Sequence, residues 1–108
     1  MFANGRVARL DLMASLIVCS AAETDITESL CWYANRSTTV ANDFDDEFHR
    51  ALNQILSDPL RFPACDLRHR FYLMRRFPFR VIYRVDGDDV IVMAVAHAAR
   101  SPDYWSNR

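Results

Sequence analysis

The side chains best equipped for chemistry crowd into the last third of the chain. Arg75, Arg76, Arg80, Arg84 and Arg100 follow one another there, with His97 and Tyr104 close by. Guanidinium groups hold phosphate or carboxylate through paired hydrogen bonds. Histidine titrates near neutrality, so His97 is a candidate general base. Arginines beside aromatic rings on one sheet face would make a platform suited to nucleic acid. Plainer uses stand beside these. The arginines could pair with acids of a partner or solvate a sheet, and His97 could close a strand as a hydrogen-bonded residue. Tyr104 and Trp105 could pack the C-terminal segment onto the sheet.

Three runs rich in Val, Ile, Tyr and Phe, at 71–75, 80–85 and 90–97, read as the strands that position these groups. Asp86-Gly87-Asp88-Asp89 is a hairpin connection between the last two, and Phe77-Pro78-Phe79 a shorter turn between the first two. Phe77 and Phe79 read as rings anchored in the core, with base stacking as the alternative. Alternation places Arg80, Ile82 and Arg84 on one face, and Val81, Tyr83 and Val85 on the other, toward a core. On the last strand it groups His97 with Val95, Met93 and Ile91, and Arg100 follows just past the strand.

The N-terminal half supplies the cover. A short β-branched run at 15–19 reads as a first strand. Over 21–36, Ile26, Leu30, Tyr33 and Ala34 recur at helical spacing. Ser37-Thr38-Thr39 breaks that helix and offers N-caps for a second, whose stripe is Val40, Phe44, Phe48, Ala51, Leu52 and Ile55. Asp58-Pro59 ends it. The acidic flank at 43–47 suits the helix start, as a solvated face or a contact for arginines of a partner. The order β-α-α-β-β-β implies an α+β fold: an antiparallel sheet packed against an N-terminal helical hairpin. Residues 1–12 read as a loose leader and 13–108 as one domain, with Met13 a candidate start.

Composition bounds the function. The 51% hydrophobic content supports a real core and argues against disorder. The net charge of −1 conceals a split, −5 over 1–58 and +4 over 59–108, and every basic residue is Arg. A basic half suits an acidic or phosphate-bearing partner. Complementary charge within the fold and a coding bias toward Arg are the competing explanations. Cys19, Cys31 and Cys65 are odd in number and lack CxxC spacing, which points to a reducing cytoplasm. Cys65 and His69 form no paired metal-ligand pattern, so no metal and no cofactor are expected. The apolar run ending at Cys19 is too short for a membrane span, and Asp11 interrupts a signal-peptide reading.

The segment RRFPFRVIYRVDGDDVIVMAVAHAARSPDYW resembles the C-terminal half of RelE/ParE-superfamily toxins of bacterial type II toxin–antitoxin systems. LIVCSAAETDI and DDEFHRALNQIL fit the superfamily's first strand and helices. The resemblance implies an intracellular, growth-inhibiting toxin of the plasmid-stabilisation kind, neutralised by a cognate antitoxin. ParE-like members inhibit DNA gyrase, whereas RelE-like members cleave messenger RNA on the ribosome without a metal. By resemblance, Arg80 and Arg100 match two functional arginines of the nucleases, where either would stabilise a pentacoordinate phosphate. His97 or Tyr104 would supply the remaining proton chemistry, although Tyr104 sits slightly early. Arg75, Arg76 and Arg84 would contact nucleic acid or target. Phe71 and Leu73 stand where those nucleases carry lysines, and the chain has no lysine. The expectation is therefore a ParE-like toxin acting on a target such as gyrase. The alternatives are a RelE-like endoribonuclease and a non-toxic antitoxin-binding member.

Overall fold

The computed structural model describes residues 15–100 and 104–108 in full and Arg6–Arg9 by its backbone. Among the described residues seven elements follow one another: β1 (Arg6–Arg9), β2 (Ser15–Val18), α1 (Ser20–Ala34), α2 (Thr38–Ser57), β3 (Arg70–Leu73), β4 (Phe79–Asp86) and β5 (Asp89–His97). β1 comes from the stretch expected to be a loose leader. The choice between Met1 and Met13 as start lies outside the described residues.

α2 shows why the helices cover the sheet. Ser37 caps it by accepting the Val40 N–H at 3.3 Å. Ala41, Phe44, Phe48, Ala51, Leu52 and Ile55, at steps of three and four, are all buried. All of them but Ala41 meet Val81, Tyr83, Val90, Val92 and Val95 of the sheet in the main core. Tyr33 of α1 closes one end of that core, its ring 5.4 Å from Phe44 and 5.2 Å from Phe77. Phe77 and Phe79 are thus core rings, not exposed stacking platforms, and Phe79 begins β4 instead of ending the turn.

The strand order is β1-β2-β5-β4-β3. Every pairing is antiparallel except β2 with β5, which is parallel and makes the sheet mixed. The helical hairpin, β3 and β4 all lie between these two strands in sequence, so β5 can return in the direction of β2. The tight turn between β4 and β5 has Gly87 at φ 62°, the left-handed conformation that a two-residue hairpin demands of its first residue. Val85, expected in the core, lies at this exposed hairpin end.

A register shift corrects the assignment of faces on β5. Ile82 pairs with Ala94 but Tyr83 pairs with Val92, leaving Met93 as an extra residue. The bulge reverses the alternation. Val90, Val92 and Val95 therefore all face the helices, while Ala94 and Ala96 face the other way. His97 stays with Val95, but Ile91, opposite Arg84, belongs to the far face. That far face is not fully open either. Trp105 lies on Ile82, Ala94 and Ala96 as a second, smaller core, with Phe71 and Tyr104 around it.

Candidate functional site

β2 ends at Val18, opposite Val92, so among the described residues β5 beyond that point has no strand on its β2 side. Those backbone groups need other partners. Asp25, one turn into α1, supplies one. Its Oδ2 accepts the Val95 N–H at 3.0 Å. Arg108 donates to Asp25 Oδ2 at 2.6 Å and to Oδ1 at 3.2 Å, and to the Met93 carbonyl at 3.1 Å. The Tyr104 hydroxyl lies 3.2 Å from Asp25 Oδ2 and 3.4 Å from the Val95 carbonyl. Cys19 Sγ completes the edge at the Met93 carbonyl, 3.4 Å away. Burial, with the Asp25 carboxylate beside it, pushes the Tyr104 hydroxyl up to about 12. The Arg108 guanidinium is held above its ordinary value, chiefly by its hydrogen bond to Asp25.

Beside this cluster a cavity of about 340 Å³ opens between α1 and the end of β5. Glu28, Trp32, Tyr33, Phe79, His97 and Arg100 are among its walls. His97 Nδ1 accepts the Ala99 N–H at 2.9 Å, which leaves Nε2 as the proton-bearing nitrogen of the neutral ring. The ring stands edge-on to Phe79 at 4.9 Å, on the helix side of the sheet. Arg100 lies over the Tyr104 ring, 3.8 Å from its centroid.

Arg80 is elsewhere. It pairs with Ala96 on the opposite side of the sheet, its guanidinium 5.7 Å from the centre of the Phe71 ring. Arg84 shares that face, opposite Ile91. Arg80 and His97 therefore look out from opposite faces, and Tyr104 is committed to Asp25. The four residues singled out for catalysis are not gathered around one point. Arg100 and His97 line one cavity and Arg100 covers the Tyr104 ring, whereas Arg80 and Arg84 lie four residues apart along the other face of the sheet.

Arg75 and Arg76 sit in the β3–β4 turn, which a third feature fixes. Glu47, buried in the stripe of α2, accepts the backbone N–H groups of both Arg75 and Arg76. The Arg76 guanidinium reaches back to Glu47 at 3.6 Å and to Asp43 at 3.8 Å. The acidic flank of α2 is thus partly an internal anchor. Neither Asp25 nor Glu47 stood out in the sequence as a positioning residue. The signal was there, because Asp25 lies three residues after buried Ala22, and Glu47 three after Phe44 and four before Ala51. Nothing in the sequence pointed to Arg108.

Among the described residues no group of three or more His, Cys, Asp or Glu side chains is placed to hold a metal ion. Cys19, Cys31 and Cys65 are free thiols. His69 Nδ1 lies 3.0 Å from Asp66 Oδ1, and its ring packs against Trp105 at 4.9 Å. Among the described residues no helix is long and apolar enough to cross a membrane.

The family model for the ParE toxin of type II toxin–antitoxin systems, parDE, matches residues 16–102. This chain belongs to the ParE toxin family. The match spans β2 through the end of β5 and takes in both helices. No curated protein matches the chain. Among solved structures, a chain described as the chromosomal ParDE TA system from P. aeruginosa is similar in fold, with a TM-score of 0.70 at 17% identity. The likeness covers 79% of this chain and 96% of that one. The family is that of the toxins of type II toxin–antitoxin systems.

Proposed function

We propose that this ParE-family toxin inhibits DNA gyrase through a protein-binding surface and that its cognate antitoxin blocks that surface. One observation carries the preference for a binding mode of action over RNA cleavage: Arg80 and His97 face opposite sides of the sheet. In-line cleavage of RNA needs its base and its phosphate-stabilising groups within hydrogen-bond reach of one reacting centre. The commitment of Tyr104 to Asp25, Val95 and Arg100 supports the same preference. On this reading Arg80 and Arg84, with Phe71 of β3 beside Arg80, are contacts for the target. Arg100 helps to hold the C-terminal segment through Tyr104.

A second reading, a ribosome-dependent endoribonuclease, draws on Arg80 and Arg84 sharing a single face, with the Arg80 guanidinium beside Phe71. Induction of the toxin without its antitoxin separates the two. The gyrase reading expects arrested division and a DNA-damage response while bulk messenger RNA stays intact. Loss of transcripts within minutes, with no damage response, contradicts it.

A further inference from the structure

A groove of about 700 Å³ runs between α2 and β3, on the opposite side of the molecule from the Asp25 cluster, and nothing so far gives it a role. Arg50, Arg61, Arg75 and Arg76 line it, over a floor of Phe62 and Tyr72 whose rings meet at 5.2 Å. Its one carboxylate, Glu47, is buried and taken up by the backbone of Arg75 and Arg76. Among the described residues, Arg50, Arg61 and Arg75 pair with no carboxylate. Arg76 alone of the four is answered, by Glu47 and Asp43, so the groove presents three guanidinium groups without a carboxylate partner among the described residues.

The groove also runs along a strand edge. β3 is the outermost strand and pairs with β4. An isolated bridge from Ala64 to Arg70 covers the start of its outer edge, so the open part of that edge among the described residues is at Leu73. Met74 donates its N–H inward to Phe79, whereas Phe71 donates outward, to the Pro63 carbonyl at 3.0 Å. By alternation the Leu73 N–H and carbonyl also point outward. Neither has a backbone partner among the described residues. Leu73 itself is 62% exposed. An unpaired edge is a template for an incoming extended chain.

We infer that this groove binds an extended acidic segment of a partner polypeptide, which adds to β3 at Leu73 and sets carboxylates against Arg50, Arg61 and Arg75. Nucleic acid would satisfy the arginines but has no backbone to complement the Leu73 N–H and carbonyl. That edge selects the peptide. This inference goes beyond the gyrase reading and stands apart from it.

The test uses the full chain and a fluorescein-labelled peptide of alternating Glu and Val, with a Gln-for-Glu peptide and oligouridylate as comparisons. The Glu peptide should bind and slow hydrogen exchange at the Leu73 amide. Arg61→Gln combined with Arg75→Gln should weaken it by about tenfold, as should the Gln-for-Glu peptide. Leu73→Pro removes an outward N–H at an edge position that tolerates proline, and should weaken binding similarly while thermal melting is kept. Hydrogen exchange in the unaltered chain decides the matter even if that variant does not fold. Absence of peptide binding overturns the inference, as does binding that leaves Leu73 exchange unchanged. Tighter binding of oligouridylate in the same groove overturns it in favour of nucleic acid. Concentration-dependent protection of Leu73 without peptide overturns it in favour of a second copy of the chain.

Discussion

Asp25 on α1 and Arg108 form a bidentate ion pair, 2.6 Å and 3.2 Å across its two contacts, over the uncovered edge of β5. The Asp25 side chain is 4% exposed and that of Arg108 20%, so the pair is largely withdrawn from water. Asp25 also accepts from the Val95 amide and the Tyr104 hydroxyl, so one carboxylate ties helix, strand and C-terminal segment together. A buried ion pair gains little over an apolar replacement, but breaking one partner leaves the other stranded.

Asp25→Ala is accordingly expected to destabilise the fold by about 3–5 kcal/mol. It leaves Arg108, the Val95 N–H and the Tyr104 hydroxyl without their shared acceptor. Asp25→Asn keeps the shape and one acceptor oxygen and should cost less. Urea denaturation of the two variants checks the order, and equal stabilities would contradict it.

Stability should also fall at alkaline pH. Burial raises the hydroxyls of Tyr83 and Tyr104 from 10.0 to about 12 in the folded chain. Both groups thus favour the folded state fully below pH 10, and their contribution is lost as pH climbs toward 12. Urea midpoints across that window should decline, and the decline should be shallower in Tyr104→Phe. A decline of equal slope in that variant would mean that Tyr104 does not titrate as a buried group.

Glu47→Ala should cost about 2 kcal/mol, as expected for hydrogen bonds to a buried charged acceptor. Its local signature is faster hydrogen exchange at the Arg75 and Arg76 amides, which Glu47 now accepts. Unchanged exchange at both would show that the turn is held by something else.

His97→Ala should leave growth inhibition within about twofold, because the ring faces the helix side, away from Arg80. Removal of a nuclease's general base costs about 10²–10⁴-fold. A loss of that size, in a variant that still folds, would favour the endoribonuclease. Plating efficiency after induction reads the difference.

Much of this arrangement was legible in the sequence because its signals are local. The apolar stripe of α2 and the Asp-Gly-Asp turn follow from spacing and from the φ that Gly87 alone adopts freely. The parallel pairing of β2 with β5 was not legible, since strand direction across a long connection leaves no mark in either strand. Nor was the bulge at Met93, which depends on how β5 fits β4 and reverses the face of every residue before it. That single extra residue explains why alternation counted back from His97 puts Ile91 on the wrong side. Asp25 and Glu47 were hidden for another reason. A carboxylate in an apolar stripe looks like an interruption until the backbone groups it serves are brought beside it by the tertiary fold.

The proposed action of this ParE-family toxin is inhibition of gyrase by binding. Its most direct test is supercoiling of relaxed plasmid by purified DNA gyrase, titrated with the purified toxin. Supercoiling should fall with rising toxin, the inhibition should weaken in Arg80→Ala combined with Arg84→Ala, and purified antitoxin should restore activity. Undiminished supercoiling by a folded toxin that still arrests growth in cells would contradict the account.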